Sequence, residues 1–311
     1  MRAAAVKRAC IAALLAATSA SAQVKDATIT RPMGAEAVAA LNAPAPTETI
    51  RYGEAESQVV EYYAPDAAKF GAGPYPVVAM IHGGCWRKSV AGRELVRPAA
   101  ADLAANGYAV WSVGYRRIDE PGGGYPGTYA DVAAALDRLA ADAGARNLDL
   151  KRVAYMGHSA GGHLALWATT RRKIAGPLKS ADALTPKVAV SLGGFGDLKN
   201  WGDFIDPNCG PGTAVAVAGE KTDARPDVFA DTSPFEILPT GVPVVMVHGI
   251  YDHVSFPAVG RSYAFRAQAR GDRAAVVLLP NAGHFEVIAP GTPGWATIIR
   301  VLGERLAVGA K

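Results

Sequence analysis

Cysteine is scarce in this chain, with three among 311 residues. Cys10 lies near the start, and Cys85 and Cys209 stand far apart, so no cysteine cluster of the kind that holds a metal is present. A bridge between Cys85 and Cys209 stays open, beside the reading that both are simply buried small residues. No His-x-x-x-His pair falls on an expected helix, which argues against a catalytic metal. No G-x-G-x-x-G turn follows a strand, which argues against a dinucleotide cofactor. Charge of one sign is also missing: the net charge is +4 and the charges are scattered. The one basic cluster, Arg171-Arg172-Lys173, falls at an expected helix C-terminus, where cations suit the dipole. It reads as a solvated helix end, and nucleic acid is not an expected partner. No internal repeat is visible.

The first residues have the form of an export signal. Arg2, Lys7 and Arg8 make a positive start, residues 10–17 are apolar but too short to span a bilayer, and Ala20-Ser21-Ala22 is a small-residue cleavage site. Residues 1–22 are therefore expected to be a signal peptide, and the mature chain periplasmic or secreted, without stable membrane insertion. Residues 23–46, rich in alanine and proline, read as a flexible lead-in. Residues 47–311 read as one domain, since half of the chain is hydrophobic and a core of this size is ample.

Within the domain, apolar runs alternate with helical spacings. Strands are expected at 57–63 (as an edge), 77–81, 108–115, 153–156, 187–192, 242–247 and 274–279. Helices are expected at 94–106, 128–143, 162–171, 256–270 and 295–306. This alternation predicts an α/β fold, a mostly parallel central sheet with helices on both faces. Residues 193–239 break the pattern and are expected to form a lid-like or pocket-wall insertion.

The most informative stretch is Gly157-His158-Ser159-Ala160-Gly161, set between the 153–156 strand and an expected helix. A G-x-S-x-G sequence there is a nucleophile elbow: the turn is so tight that its neighbours must be glycine, and the serine oxygen stands exposed at a helix N-terminus. Parallel sheets bind ligands beyond the carboxyl ends of their strands. Asp252 follows the 242–247 strand, His284 the 274–279 strand, and His82-Gly83-Gly84-Cys85-Trp86 the 77–81 strand. A serine hydroxyl needs a base; histidine titrates near pH 6.5 and can take and return the proton; a buried carboxylate orients the ring. Ser159, His284 and Asp252 are thus the expected catalytic residues. The amides of Ala160 and of the Gly83-Gly84-Cys85 turn are the expected oxyanion donors.

These segments resemble a known family. His82-Gly83-Gly84-Cys85-Trp86 is similar to the HGGxW oxyanion loop of the kynurenine formamidase-like and carboxylesterase branches of the α/β-hydrolase superfamily. Gly157-His158-Ser159-Ala160-Gly161-Gly162-His163 resembles their elbow, and Tyr115-Arg116-Arg117 and Ala282-Gly283-His284-Phe285-Glu286 match further motifs. The resemblance spans about residues 52–306. It implies the α/β-hydrolase fold, a serine mechanism without cofactors, and a small-molecule ester or amide as substrate. Formamidases, acetyl esterases and feruloyl-type esterases share these motifs, so the substrate stays open, as does the oligomeric state.

Rival assignments follow from the same residue types. His82 is expected to brace the oxyanion loop, His158 and His163 to pack around the nucleophile, and His248 to sit in the core. His253, beside Asp252, is the rival base; Asp197 is the rival acid, while Asp227 and Asp231 are expected to cap turns. Trp86 is expected to form pocket wall, and Tyr125 and Tyr129 either line the site or simply pack. A non-catalytic exported binding protein on the same scaffold is the alternative from a different class.

Overall fold

The computed structural model describes residues 31–307. The expected signal peptide and the start of the lead-in lie outside the described residues. In chain order the elements are α1 (Ala35–Ala39), β1 (Glu48–Arg51), β2 (Val59–Tyr63), α2 (Ala67–Phe70), β3 (Tyr75–Ile81), α3 (Arg97–Ala105), β4 (Ala109–Val113), α4 (Gly127–Asp142), β5 (Leu148–His158), α5 (Ala160–Ala168), β6 (Val188–Leu192), α6 (Leu198–Trp201), α7 (Ile205–Cys209), α8 (Thr213–Ala218), β7 (Val244–Gly249), α9 (Pro257–Ala269), β8 (Ala274–Leu279) and α10 (Pro293–Leu306).

The strands form one eight-stranded sheet in the order β1-β2-β4-β3-β5-β6-β7-β8. β1 and β2 pair antiparallel with their neighbours, and every pair from β4 to β8 is parallel. This is the α/β-hydrolase fold. β3 is buried along its whole length because both of its faces are covered. Side chains alternate across the sheet. Val77, Ala79 and Ile81 of β3, Trp111 of β4 and Tyr155 of β5 join one core with Val132, Leu136 and Leu139 of α4 and Leu164 and Trp167 of α5. Val78, Met80, Val110, Ala154 and Met156 join the opposite core with Ala99 and Leu103 of α3 and Ile298 and Leu302 of α10.

One expectation about the strands needs correction. The strand at 57–63 is not an edge: β1 pairs outside it, with Glu48 opposite Tyr62 and Arg51 opposite Val59. β1 has four residues and buries only Ile50, so it leaves no apolar run to read. The described part of the lead-in is mostly exposed and touches the domain at two points. Val38 of α1 is fully buried in the α3/α10 core, and the Met33 amide donates to Glu286 Oε1 at 2.6 Å. One apolar residue in an alanine-rich stretch leaves no periodicity to find.

Arg171 also departs from the solvated helix end expected for its cluster. It is 4% exposed and forms a two-pronged pair with Asp137 of α4, at 2.8 and 2.9 Å. Among the described residues no helix is long and apolar enough to cross a membrane.

Leu302→Ala empties a fully buried site between α10 and the sheet. It is expected to cost about 2–5 kcal/mol, read from urea denaturation; a loss below about 1 kcal/mol refutes this account of the core.

Candidate active site

The turn from β5 into α5 places Ser159. Its backbone sits at φ 52° and ψ −119°, a conformation that L-residues rarely adopt, and it is the residue before the first turn of α5. The turn closes only on glycine. A Cβ at Gly157 runs into the Gly161 carbonyl, and one at Gly161 runs into the carbonyls of Ile81 and His82. The Ser159 amide donates to Leu192 O at the end of β6, 2.8 Å away, which ties the turn to the neighbouring strand.

His284 and Asp252 meet on the loops that follow β8 and β7. His284 Nδ1 donates to Asp252 Oδ2 at 2.8 Å, so Nε2 is left as the free ring nitrogen. Both residues are buried. The other oxygen of Asp252 accepts the amides of Val254 and Ser255, at 2.9 and 2.8 Å. Burial opposes ionisation of Asp252. The donor and charge of His284 and the two amides outweigh it and hold the carboxyl below its ordinary value. The loops also grip each other: the Tyr251 amide donates to Ala282 O at 3.0 Å and the Gly283 amide to Glu286 Oε2 at 2.8 Å.

Contacts with His158 seat this pair against the elbow. The rings of His158 and His284 lie 4.7 Å apart, and His158 Nε2 donates to the His284 carbonyl at 2.9 Å. Gly193, which follows β6 directly, fills the remaining gap. A Cβ there falls 3.0 Å from Asp252 Oδ2 and 3.1 Å from His284 Nδ1, at φ +58°. Gly193 is a site residue that sequence reasoning passed over as the first residue of the insertion. Its only signal is the Gly193-Gly194 pair at a strand end.

The loop after β3 comes down beside the elbow. An ideal Cβ at Gly83 is 3.1 Å from Ser159 Cβ. His82 stacks on Tyr115 with ring centroids 4.3 Å apart, donates from Nδ1 to Gly83 O at 2.7 Å, and accepts from Tyr115 Oη through its carbonyl at 2.9 Å. Gly84, Cys85 and Trp86 all have positive φ, 108°, 55° and 52°. Among the described residues the amides of Gly83, Gly84, Cys85 and Ala160 donate to no backbone carbonyl. Trp86 is not pocket wall: it is 1% exposed and packs edge-on against His163 in the α4/α5 core. The loop doubles back, which drives the ring inward.

The rivals are engaged elsewhere. His253 is exposed. Asp197 caps α6, accepting from the amide and side chain of Asn200 at 3.0 and 2.7 Å. Asp227 accepts from the Phe229 amide at 3.0 Å in a local turn. Asp231 caps nothing; it pairs with Arg225 and accepts from Tyr125 Oη at 2.6 Å. Tyr129 is buried in the core and donates to Val217 O at 2.9 Å.

The insertion 193–239 folds into α6, α7, α8 and a short turn at Pro234–Ile237. It is joined to the 82–86 loop by a disulfide between Cys85 and Cys209, with the Cα atoms 5.2 Å apart. Arg87 adds hydrogen bonds to Thr213 Oγ1 and Pro211 O, at 2.9 and 2.8 Å. Trp201 and Phe204 of the insertion meet Phe256, which follows the Asp252 loop, with centroids 5.2–5.5 Å apart.

The fold defines a class, the α/β-hydrolases, and here a serine at the β5–α5 turn and a buried His–Asp pair lie beyond the carboxyl ends of the strands. The BD-FAE family profile matches residues 61–262, and the chain belongs to that family. No curated protein matches the chain. Among solved structures the chain is similar to esterase B from Lactobacillus Rhamnosis (HN001), with 24% identity, TM-score 0.70, and coverage of 88% of this chain and 90% of that one. It is similar to a truncated carbohydrate esterase from gut microbiota, with 20% identity, TM-score 0.69 and coverage of 85% and 100%. It is also similar to Thermogutta terrifontis esterase 2, with 19% identity, TM-score 0.66 and coverage of 86% and 96%. At these identities the likeness is one of fold.

The buried imidazoles make stability depend on pH. Burial holds His82 and His158 down to about 3 and His163 to about 4, and lowers His248 as well. In the unfolded chain they take up protons below about pH 6.5. Between that pH and their folded values the unfolded state binds more protons, so stability falls as the pH drops. The depressed Asp252 acts in the same direction at lower pH. The denaturant midpoint is expected to be clearly lower near pH 5 than near pH 7.5; an equal or higher midpoint refutes this reading.

Proposed function

We propose that the protein is a serine hydrolase that cleaves a small carboxylic ester through an acyl-enzyme. The observation that carries this reading is the buried His284–Asp252 hydrogen bond at 2.8 Å, packed through His158 against the turn that presents Ser159. Ser159 Oγ attacks the ester carbonyl while His284 Nε2 takes its proton. Asp252 holds the tautomer and stabilises the imidazolium. The oxyanion is received by the amides of Ala160 and of the Gly83-Gly84-Cys85 turn, which have no backbone acceptor to give up. His284 returns the proton to the departing alcohol, and water repeats the steps to release the acid. The chemistry uses side chains, backbone and water, with no metal or cofactor. The Trp201, Phe204 and Phe256 rings, with Phe204 43% exposed, offer an apolar face for the part of the substrate that does not react.

An ester is favoured over an N-formyl anilide on chemical grounds. An ester expels an alcohol or phenol, a better leaving group than an unprotonated amine. An amidase needs His284 set to protonate nitrogen before the intermediate collapses. Export supports the same choice, since it points to extracellular esters. The reading of export rests on Arg2, Lys7, Arg8 and Ala20-Ser21-Ala22, and the Cys85–Cys209 bridge accords with an oxidising compartment.

A fluorophosphonate probe is expected to label Ser159 in the wild type and nothing in Ser159→Ala; an unlabelled wild type favours a binding protein. Asp252→Asn is expected to lower kcat by about 10⁴-fold through the wrong histidine tautomer; a near-silent substitution refutes the assigned acid. On one preparation, a short-acyl or feruloyl ester is expected to exceed N-formylkynurenine in kcat/KM. A formamide preference of about a hundredfold, some 2.7 kcal/mol in transition-state binding, replaces the ester reading with an arylformamidase.

Mass spectrometry of protein from its native host is expected to find a mature chain starting at Gln23 outside the cytosol. An intact Met1 terminus in the cytosol overturns the export proposal.

A further inference from the structure

The oxyanion turn is held at both ends and bridged in the middle. Upstream, Tyr115 stacks on His82 and hydrogen-bonds its carbonyl, and Gly83 lies against the elbow. Downstream, Trp86 is sunk in the core, its carbonyl accepts the Ile118 amide at 2.7 Å, and Asp119 accepts the amides of Lys88 and Ser89 at 2.5 and 3.0 Å. Between these anchors three successive residues have positive φ, and two of them, Cys85 and Trp86, carry side chains. Such residues are strained and persist only where their surroundings over-determine them. Trp86 has its buried ring. Cys85 has its bond to Cys209.

The far end of that bond is firmly mounted. Cys209 closes α7 and is 9% exposed. Asp206 of the same helix accepts the amides of Gly212 and Ala214, both at 2.8 Å, which fixes the link into α8. Arg87, two residues past Cys85, reaches Pro211 and Thr213 in that link. The insertion is therefore a bracket whose covalent arm ends on the residue whose amide faces the site under the proposed function.

We propose that Cys85 and Cys209 are a positioning pair: their disulfide fixes the Cys85 amide in the oxyanion-binding turn, so that turnover depends on the bridge. This rests on the serine-hydrolase reading. The oxyanion exists only in the transition state and the tetrahedral intermediate. Loosening its donor therefore lowers kcat and kcat/KM together and leaves KM nearly unchanged. Asp252 and His284 are untouched, so the pH dependence of turnover stays where it was.

The test follows p-nitrophenyl acetate hydrolysis by the full mature chain, with active sites counted by fluorophosphonate and folding followed by near-ultraviolet circular dichroism. Dithiothreitol delivers two electrons and two protons: the Sγ–Sγ bond breaks, two thiols form, and the reductant closes to a cyclic disulfide. On reduction, kcat per folded site is expected to fall about tenfold or more, with KM within about twofold and the pH midpoint unmoved. Reoxidation restores it, and Cys209→Ser reproduces the reduced state. The inference is overturned if reduced enzyme with two free thiols keeps its kcat. It is also overturned if KM alone rises, or if the loss follows the folded signal alone. An oxidised enzyme that turns over no ester overturns the functional reading itself, and this inference with it.

Discussion

The close approach of backbone to backbone at the β5–α5 turn governs the arrangement around Ser159. The turn is so tight that Gly157 lies against the Gly161 carbonyl and Gly161 against the end of β3. That closeness puts the first turn of α5, the ends of β3 and β6, and the His82–Trp86 loop within contact of one residue. Ser159 bears the strain in its own φ and is held there by its bond to Leu192. Without side chains at positions 157 and 161, the helix can start directly at the sheet edge. Its N-terminal amides and dipole then face the serine rather than solvent.

Charge is managed by pairing one buried histidine and drying four others. His82, His158, His163 and His248 are buried with a backbone carbonyl as sole acceptor, and burial keeps them neutral. Among the described residues, His284 is the histidine that meets a carboxylate. Asp252 stays ionised despite burial because His284 and two amides donate to it. A buried carboxylate without such donors takes up a proton instead. The neutral rings serve as rigid packing: His82 stacks on Tyr115 at the start of the 82–86 loop and His158 wedges against His284.

The insertion is tied down at both ends. Its helices are short, but Arg225 holds its end together by pairing with Asp231, bonding the carbonyls of Ala218 and Val228, and stacking 3.6 Å over the Tyr125 ring. The disulfide and Arg87 then fasten its other end to the segment after β3. Segments clamped by covalent and polar links at both ends present a preformed surface, which lowers the ordering cost of binding.

Local pattern was enough to read the alternation of strand and helix, the sheet with two covered faces, and the elbow, because each depends on periodicity or on residues adjacent in the chain. It was also enough to propose Asp252 and His284, since strand ends mark where ligands meet a parallel sheet. Four-residue β1 and five-residue α1 escaped it, because each buries a single side chain, Ile50 and Val38, and one apolar residue has no period. Spacing could not say that Gly193 abuts the His–Asp pair, that Trp86 turns into the core, or that Asp231 serves an ion pair. Nor could it decide whether Cys85, 124 residues from Cys209, has a partner or merely fills space. These are contacts between segments remote in sequence, and they exist only once the chain has packed against itself.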